Sequence, residues 1–399
     1  MTDARGARVR ILVVTRNFPP QIGGMERFMQ RIAAQLAQRF DVALCGPSGA
    51  QEFAPPGIEV RTCAIGSLPL FVLRSAWQAW RMARRFKPDL VIAGSGLTVP
   101  MARLAAWSVR APLVAFVYGL DLVVDNALYQ RCWMPFVRRC DGVIAISRYT
   151  RDAAIARGIP AQRIAIVTPG VDEVPARADA AATFRREHAL EDRPLLIAVG
   201  RLTRRKGLVE FVEHCLPRIV AQRPDALLLC VGGDPVSSLA ATRSGLAQAA
   251  LASAARLGLS DNLRMLGSVP DATLTAAYQA SDVHVFPVLD LPGDAEGFGI
   301  VALEAAANGI PTVAFAVGGV PDAIAPGRSG MLLPSGEYAG MADAVLAILA
   351  DPGGRATRRR ACLEHAREFA WDRIGEKLQP VVLQFARAAS GAVRAGAQR

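Results

Sequence analysis

Short apolar segments alternate with amphipathic segments along nearly the whole chain. In the first half the apolar segments read RVRILVVT, DVALCG, DLVIAGS, PLVAFVYG, GVIAIS and RIAIVTPG. Segments with helical periodicity lie between some of them, such as MERFMQRIAAQLAQRF and residues 71–86. Strands that are apolar throughout are typical of a parallel sheet, because helices cover both of its faces. The pattern therefore predicts an α/β domain.

The second half of the chain repeats this alternation. Its apolar segments read PLLIAVG, ALLLCVGG, NLRMLGS, VHVFPV, IPTVAFA and SGMLLP. We therefore predict two Rossmann-like, doubly wound domains that face a central cleft, outside the carboxyl ends of their strands. The predicted domains are residues 1–170 and 171–372, followed by a helical segment, 373–399, whose amphipathic pattern is interrupted at Pro380.

Three glycine-containing loops follow predicted strands and precede predicted helices. They are NFPPQIGGMERF with Gly23 and Gly24, VGRLTRRKGLVEF, and AFAVGGVPDAI with Gly318 and Gly319. Glycine lets backbone N–H groups approach an anion, and a helix N-terminus adds partial positive charge. None of the loops matches GxGxxG or a Walker A loop. A single loop could be an ordinary turn, but three at strand ends favour a phosphate-bearing ligand.

The loop VGRLTRRKG contains one of only three lysines among 46 basic residues. Lys206 stands five residues after Arg201. Arginine offers a planar fork for two oxygens and lysine a compact charge, a combination that suits a diphosphate leaving group. The alternative is a solvated basic turn, because Arg204 and Arg205 adjoin the lysine.

The segment GDAEGFGIVALEAAANGIP places Glu296 and Glu304 eight positions apart. Gly297 and Gly299 predict that Glu296 lies in a loop and that Glu304 lies within the helix that follows. Backbone N–H groups of residues 298–300 would point towards an anionic or hydroxylated ligand, and carboxylates accept hydrogen bonds from sugar hydroxyls. The alternative is that Glu296 only complements the helix dipole and Glu304 is a surface residue.

These motifs, in this order, resemble the retaining, GT-B-fold glycosyltransferases of family four. The resemblance rests on FPPQIGGMERF, IAISRYTRD, VTPGVD, VGRLTRRKG, VGGDP, AAYQASDVHVFPV, EGFGIVALEAAANGIPTVAF, VGGVPDAIAPGRSGMLLP and FAWD. It implies a GT-B fold in which the final helix crosses back to the N-terminal domain. It also implies metal-independent transfer of a hexose from a UDP- or GDP-sugar to a hydroxyl acceptor, with no cofactor.

The resemblance also implies a role for each matching residue. Catalytic roles fall to Arg201, Lys206 and Glu296, and donor-binding roles to Gly23, Gly24, Gly200, Phe298, Gly299, Ile300, Val301 and Glu304. Arg201 and Lys206 would hold the donor diphosphate. Glu296 would lie near the transferred sugar, and Glu304 would bind the ribose.

One segment departs from the family pattern. Relatives often carry HG-x-(D/E) after an N-domain strand, whereas this chain reads VYGLDL. Tyr118 and Leu120 stand where histidines occur, and Asp121 matches the acidic position. We therefore expect a front-face mechanism, in which the departing phosphate oxygen takes the acceptor proton and Tyr118 and Asp121 orient the acceptor.

Composition and charge limit the kinds of site, the cellular location and the partners that the protein can have. The seven cysteines form no CxxC pair, which argues against a zinc site and a disulfide scaffold. No apolar run reaches the roughly 18 residues of a transmembrane helix, and no signal-peptide pattern follows the N-terminus, so we expect a cytoplasmic protein. Residues 1–170 hold 22 Lys+Arg against 10 Asp+Glu, an excess of 12, whereas the overall net charge is +11. The first half could therefore meet phosphates, nucleic acid or an anionic membrane surface.

The segment LFVLRSAWQAWRMARRFKP is amphipathic at helical spacing. Its basic face carries Arg74, Gln78, Arg81 and Arg85, and apolar residues such as Ala76, Trp80, Ala83 and Phe86 occupy most of the rest. The pattern fits an interfacial helix attracted to anionic lipid, which suits a lipid-linked or glycan acceptor in cell-envelope or glycoconjugate biosynthesis. It fits equally a sheet-packing helix with a solvated basic face.

Two other functions stay open at the level of sequence. A nucleotide-sugar epimerase could share the GT-B architecture, although the Arg201–Lys206 loop and EGFGIVALE point away from it. A basic nucleic-acid-binding protein is the non-enzymatic alternative, but the arginines are dispersed and no RNP, KH or helix-turn-helix pattern occurs.

Overall fold

The computed structural model describes residues 8–190, 192–233 and 245–396. Its contacts divide the chain into two compact units. The first unit runs to Gly170 and also includes the chain from Trp371 onward, and the second is Val171–Ala370. The predicted boundary after residue 372 therefore falls two residues inside the last segment of the first unit. Asp234 and Pro235 of the motif VGGDP lie outside the described residues.

The first unit contains a parallel sheet in the order β3-β2-β1-β4-β5-β6-β7. Its strands are β1 (Arg10–Val14), β2 (Asp41–Pro47), β3 (Glu59–Cys63), β4 (Leu90–Ala93), β5 (Leu113–Val117), β6 (Gly142–Ala145) and β7 (Ile164–Ile166). The central strands are buried along almost their whole length, as their continuous apolar sequences predict. This sheet confirms the prediction of a helix-covered parallel domain.

The second unit contains a parallel sheet in the order β10-β9-β8-β11-β12-β13. Its strands are β8 (Leu195–Val199), β9 (Leu227–Val231), β10 (Leu263–Gly267), β11 (Val283–Phe286), β12 (Thr312–Phe315) and β13 (Gly330–Leu333). The order of these six strands is that of the doubly wound fold, and the first six strands of the other sheet follow the same order. The prediction of two Rossmann-like units is thus confirmed.

Helices cover both sheets. In the first unit they are α1 (Gly24–Ala37), α2 (Leu68–Phe86), α3 (Val99–Val109), α4 (Leu120–Val123), α5 (Ala127–Cys132), α6 (Met134–Arg138) and α7 (Arg148–Ala156). In the second they are α8 (Ala178–Glu187), α9 (Leu208–His214), α10 (Leu216–Gln222), α11 (Leu246–Arg256), α12 (Asp271–Ala280), α13 (Ile300–Ala307), α14 (Val320–Ala323), α15 (Tyr338–Leu349) and α16 (Arg355–Arg367). Within the described ranges, no helix has the length and apolarity needed to cross a bilayer.

The last helix, α17 (Trp371–Gly396), belongs to the first unit. Phe385 lies so close to β6 that a Cβ added at Gly142 would be 2.3 Å from its ring. At the start of the helix, Gln35 Nε2 donates to Asp372 Oδ1 at 3.3 Å. The absence of a side chain at Gly142 therefore lets α17 pack directly on the sheet.

Two features of this unit differ from the sequence-based expectations. β3 was not predicted, because it is a short edge strand on which Glu59 and Arg61 alternate with less polar positions. The interruption expected at Pro380 is wrong, since α17 continues through it. Pro380 lies on the exposed side of the helix, where water can satisfy the carbonyl group that the missing N–H would have bound.

Helix α2 packs one side against its unit and exposes apolar residues on the other. Ala79, Met82 and Ala83 are buried against the unit, as expected of a sheet-packing helix. The opposite side carries exposed apolar side chains as well as arginines, since Leu73 is 70% exposed and Trp77 is 50% exposed. The apolar surface of α2 is therefore divided between the core and the exterior.

Candidate active site

The second unit has its topological switch point between β8 and β11. Chain order reverses there, so the loops that follow these two strands open a crevice at their carboxyl ends. The loop after β8 contains Arg201 and Lys206, and the loop after β11 contains Glu296. The fold therefore brings together two segments that lie about 90 residues apart in the chain.

Glycines determine how closely these loops approach each other. Gly207 has φ +66°, and a Cβ there would lie 2.0 Å from the carbonyl oxygen of Pro287. Gly200 has φ +137° and lies directly under the side chain of Lys206, whose Cε would be 3.5 Å from an added Cβ. A side chain at position 207 would push the cationic loop away from β11, whereas at position 200 the positive φ is what favours glycine.

Lys206 lies inside the crevice. Its Nζ donates to Glu296 Oε2 at 2.8 Å and lies 4.6 Å from the ring centre of Phe286, and its side chain is only 15% exposed. Burial lowers the pKa of Lys206, and the neighbouring charge of Arg205 lowers it further, whereas Glu296 opposes the shift. The ammonium group is held in place by one carboxylate and one aromatic face.

Glu296 lies in the loop before α13, as predicted. Burial alone would raise the pKa of this carboxyl group, but Lys206 and Arg205 outweigh it and lower the pKa to about 2. The side chain is 12% exposed. Glu296 is therefore an ionised group near neutral pH and has no proton to donate.

Arg205 is the third member of this cluster. Its Nε donates to Glu296 Oε2 at 3.0 Å, and its NH1 donates to Asp294 Oδ1 at 2.9 Å. Burial alone would lower the pKa of Arg205, but these two carboxylates raise it. Sequence reasoning treated Arg205 as part of a basic turn and did not single out Asp294. The sequence did contain a signal for this contact: two acidic residues in DAE and three basic residues in RRK, each in a loop that follows a predicted strand.

Arg201 stands apart from the cluster. It is exposed, and it lines a small pocket at the carboxyl end of β8 together with Gly200, Lys206 and Phe286. Its charge acts on Lys206 by lowering the pKa of the ammonium group. A ligand that reaches Lys206 through this pocket would thus meet the guanidinium as well.

His284 lies beneath Lys206, on β11. It is fully buried, its Nδ1 lies 3.0 Å from Thr312 Oγ1, and its ring stacks on Phe286. Burial, together with the charge of Lys206, lowers its pKa to about 3. His284 is therefore neutral at physiological pH and adds no positive charge to the site.

The N-terminus of α13 completes the site. Gly299 caps the helix with φ +91°, and Ile300 and Val301 form its first turn. The side chain of Phe298 is buried and packs towards Phe369 at 6.2 Å, so only its backbone can meet a ligand. The helix thus begins where the sequence predicts, and the backbone groups of Phe298, Gly299, Ile300 and Val301 lie at its N-terminus. Their role in binding the donor stays a prediction.

A second glycine loop supports the Glu296 loop from behind. Gly319 N donates to the carbonyl oxygen of Glu296 at 2.8 Å. A Cβ at Gly319 would lie 2.0 Å from the carbonyl oxygen of Gly297, and one at Gly318 would lie 2.4 Å from that of Glu296. This pair of glycines thus lets the loop after β12 pack closely against the Glu296 loop.

Glu304 has a different partner from Glu296. It lies on α13, as predicted. Its carboxylate interacts with the hydroxyl group of the buried Tyr278. The same hydroxyl group donates to the Val301 carbonyl oxygen at 3.4 Å. Burial raises the pKa of Tyr278, and the charge of Glu304 raises it further. The two glutamates are thus held separately, one by cations and one by a neutral hydroxyl group.

The candidate residues of the first unit lie at the carboxyl ends of β1 and β5. Gly23 precedes α1 and Gly24 begins it, and the Glu26 carboxylate lies against Gly23. Asp121 accepts backbone N–H bonds from Tyr118, Gly119 and Gly96, at 2.8, 3.1 and 3.1 Å. Burial raises the pKa of Asp121, which these bonds oppose.

The Tyr118 hydroxyl donates to the Gly94 carbonyl at 2.8 Å and is buried. Tyr118 and Asp121 therefore join the loops after β4 and β5 to each other. Their role in orienting an acceptor stays a prediction, and the geometry favours an indirect one.

A larger cavity, of about 580 Å³, lies at the amino ends of the strands of the second unit. Four arginines line it, namely Arg185, Arg223, Arg355 and Arg358. Each is already engaged with protein oxygens, as in the 2.7 Å pair between Arg355 and Asp282. This cavity lies at the opposite ends of the strands from the loops that carry Arg201, Lys206 and Glu296.

Two Rossmann-like units, with a cationic loop facing an ionised carboxylate at the switch point of one of them, are the features expected of a GT-B glycosyltransferase. Residues 193–351 match the family model described as glycosyl transferases group 1, and residues 22–174 match that of glycosyltransferase family 4. The chain belongs to this family, the group 1 glycosyltransferases of family four.

Three similar proteins illustrate the relationship. The chain is 28% identical over 353 residues to the GDP-mannose-dependent alpha-(1-6)-phosphatidylinositol monomannoside mannosyltransferase of Mycolicibacterium smegmatis, covering 86% of this chain and 90% of that protein. It is 30% identical over 386 residues to the D-inositol 3-phosphate glycosyltransferase of Acidothermus cellulolyticus, covering 89% and 84%. The crystal structure of Anabaena HepE in complex with UDP aligns with a TM-score of 0.75 at 21% identity, over 94% of this chain and 100% of that one.

Proposed function

We propose that the protein is a retaining hexosyltransferase that moves a hexose from a nucleotide diphosphate sugar to a hydroxyl acceptor. The observation that carries this proposal is the Lys206–Glu296 pair at the switch point, with Arg201 exposed beside it. Arg201 and Lys206 would bind the donor diphosphate and stabilise the charge that develops as the bond to the sugar breaks. Backbone N–H groups at the start of α13 would bind phosphate or sugar hydroxyl oxygens.

The ionised state of Glu296 supports a front-face mechanism. A carboxyl group with a pKa of about 2 is a poor base and carries no proton at neutral pH. Glu296 would instead accept a hydrogen bond from the transferred sugar and stabilise positive charge on its ring. The bond from the sugar to the diphosphate breaks, the acceptor oxygen bonds on the same face, and its proton passes to the departing phosphate oxygen.

The identity of the donor nucleotide is the first point to determine. The mycobacterial relative is named for GDP-mannose, and the Anabaena structure contains UDP, so both nucleotide classes are candidates. A ligand that binds only the folded protein raises its melting temperature. We expect UDP and UDP-sugars, or GDP and GDP-sugars, to raise it at millimolar concentration, and the Lys206→Ala variant to lose most of the effect. No stabilisation by either class would contradict the proposed function.

We propose that transfer needs no divalent metal. Lys206 and Arg201 would supply the positive charge that a metal ion supplies in other transferases. Donor turnover in EDTA should equal turnover in Mg²⁺ within about twofold. A loss of tenfold or more on chelation, restored by one metal, would reject metal independence while leaving the transferase function intact.

We also propose a lipid-linked or glycan acceptor at an anionic membrane surface, in cell-envelope or glycoconjugate biosynthesis. The relative named above acts on a phosphatidylinositol mannoside, and the first 170 residues carry the basic excess. An exposed face of α2 and α3 supports this: it carries Leu70, Leu73, Trp77, Trp80, Leu104 and Trp107. Arg81 lies 5.0 Å from the ring centre of Trp77, so cations and aromatic groups share this face. Tryptophan and arginine together favour the interface of an anionic bilayer.

Flotation with vesicles tests the membrane proposal. The protein should float with vesicles of phosphatidylglycerol and phosphatidylcholine at low salt, and less with phosphatidylcholine alone. Replacing Trp77 and Trp107 by Ser should reduce flotation, whereas Leu128→Ser, at a position 68% exposed outside this face, should not. Equal flotation of all variants, or none by the wild type, would argue against the surface.

Neither alternative from the sequence is favoured. Family membership and the ion pairs around Glu296 support transfer over epimerisation. A nucleic-acid-binding role would require salt-dependent affinity for DNA in the absence of any response to nucleotides.

A further inference from the structure

Among the described residues, the two cations that bind the carboxylate of Glu296 both contact the same one of its oxygens. Both cations contact the same atom, Oε2, with Lys206 Nζ at 2.8 Å and Arg205 Nε at 3.0 Å. The other oxygen, Oε1, is engaged by neither of them. Glu296 thus has one oxygen fixed by the protein and a second one that a bound sugar could use.

Arg205 is placed to hold this carboxylate independently of Lys206. Its guanidinium spans two carboxylates of one loop, Glu296 through Nε and Asp294 through NH1 at 2.9 Å. The Arg205 and Asp294 side chains are 14% and 20% exposed. The backbone of the arginine is fixed too, because its carbonyl accepts from Leu289 N at 2.8 Å. A planar fork suits this bridge, whereas a lysine could not span both partners in the same way.

We propose that Arg205, held by Asp294, is a positioning residue that keeps Glu296 ionised and in place when Lys206 turns to the donor diphosphate. This inference rests on the proposed function, in which Lys206 is a diphosphate ligand. Without Arg205, the arrival of the diphosphate would draw Lys206 away, and no other cation of the described residues forms an ion pair with Glu296. A buried carboxylate without a partner is strongly unfavourable, so it would take up a proton or move.

The charges around Glu296 are balanced for such an exchange. Those that face it or its partners are Lys206, Arg205 and Arg201 from the loop after β8 and Asp294 from its own loop, with neutral His284 below. Lys206 and Arg205 balance the two carboxylates in the free site. When the diphosphate takes Lys206, Arg205 alone is shared between Glu296 and Asp294.

Donor turnover tests the role in catalysis. UDP-glucose and GDP-mannose are the probes, with water in place of the acceptor hydroxyl, and release of the nucleoside diphosphate by hydrolysis is followed between pH 5 and 9. We expect Arg205→Gln to lower kcat at least about tenfold, with donor KM changed less than about threefold, and to move the acid limb of the kcat profile up by about one pH unit or more. Asp294→Asn should act in the same direction with a smaller effect.

The matched control is Arg204→Gln. Arg204 lies in the same short turn and carries the same charge, but it is exposed. It should leave kcat and the acid limb unchanged. A loss of kcat in Arg205→Gln without movement of the limb would reduce Arg205 to a structural role and overturn the proposal. A rise in KM with kcat intact would make it a donor ligand and overturn the proposal as well.

A second experiment needs no substrate. Lys206→Ala imitates the departure of the lysine, so Glu296 should stay ionised through Arg205 alone. Carboxyl ¹³C NMR titration, with Glu296→Gln to assign the signal, should give a pKa below the ordinary range in Lys206→Ala and above it in Lys206→Ala/Arg205→Gln. An ordinary pKa in Lys206→Ala would overturn the proposal for any donor. Failure of both sugars to be turned over would instead reject the proposed function.

Discussion

Glu296 and the donor diphosphate compete for the same ammonium group in the proposed site. Replacing Glu296 by Gln keeps the size of the side chain and removes its charge. Lys206 then lacks its carboxylate partner, and Arg205 keeps only Asp294. We expect this variant to be less stable when free and to bind nucleoside diphosphate more tightly than the wild type, while its kcat falls.

The structure gives the size of these effects. At 2.8 Å and an effective dielectric constant of about 20, the two charges attract by about 6 kcal/mol before desolvation is subtracted. Removing one partner of a buried pair costs roughly 3–5 kcal/mol. In a unit of this size that lowers the melting temperature by roughly 6–20 °C. If the diphosphate restores about half of the lost interaction, roughly 1.5–2.5 kcal/mol, affinity rises by roughly 10- to 70-fold.

Titration calorimetry with UDP and GDP, together with thermal unfolding, measures both quantities. Glu187→Gln is the control, because it removes an exposed carboxylate from α8 of the same unit. The competition argument is refuted if Glu296→Gln binds the preferred nucleotide no more tightly than the wild type although its melting temperature has fallen. An unchanged melting temperature would refute the estimate of the pair itself.

Three further outcomes follow from the geometry. Glu304→Ala should raise the apparent donor KM with little change in kcat. Tyr278→Phe should raise it less, since it removes only the hydroxyl group that holds Glu304. Steady-state kinetics measures both effects. Gly319→Ala would place a Cβ 2.0 Å from a backbone oxygen of the Glu296 loop and should lower the free energy of unfolding by roughly 1–3 kcal/mol. Gly353→Ala is the control, because its Cβ would meet nothing closer than 3.7 Å, and it should leave thermal unfolding nearly unchanged. The pKa of Glu296 is lowered from 4.5 to about 2, so its contribution of about 3 kcal/mol is present above pH 5 and is lost as the pH falls towards 2. The stability difference between wild type and Glu296→Gln, measured by denaturant unfolding, should therefore shrink from pH 6 to pH 3.

The sequence predicts the fold well where burial is complete. Strands such as β1 and β8 are apolar at every buried position, and the alternation with helices leaves a parallel sheet as the natural solution. The edge strand β3 escapes the same reasoning because only one of its five residues is buried. Pro380 was misread for a related reason, since its effect depends on which side of α17 faces the solvent.

The different positions of the two glutamates could be predicted because they depend on local sequence. Gly297 and Gly299 prevent a continuous helix, so the placement of Glu296 in a loop and Glu304 on α13 is confirmed. The Arg205–Asp294 contact could not be predicted in this way. It joins residues 89 positions apart and exists only because β8 and β11 are neighbours in the sheet. Neighbouring strands that are not consecutive in the chain leave little trace in the local pattern.

The identities of the two cations follow from what each one has to hold. Arg205 bonds to two carboxylates at once, through Nε and NH1, and a guanidinium presents donors in that spacing. Lys206 bonds to one carboxylate and lies over Phe286, with Gly200 below it, where a compact ammonium fits and a wider planar group would meet the ring. In a chain with only three lysines, the one at this position is therefore set by the space and the single partner around it. The same argument explains why the more mobile partner should be Lys206, since it has one bond to exchange for a phosphate and Arg205 has two to lose.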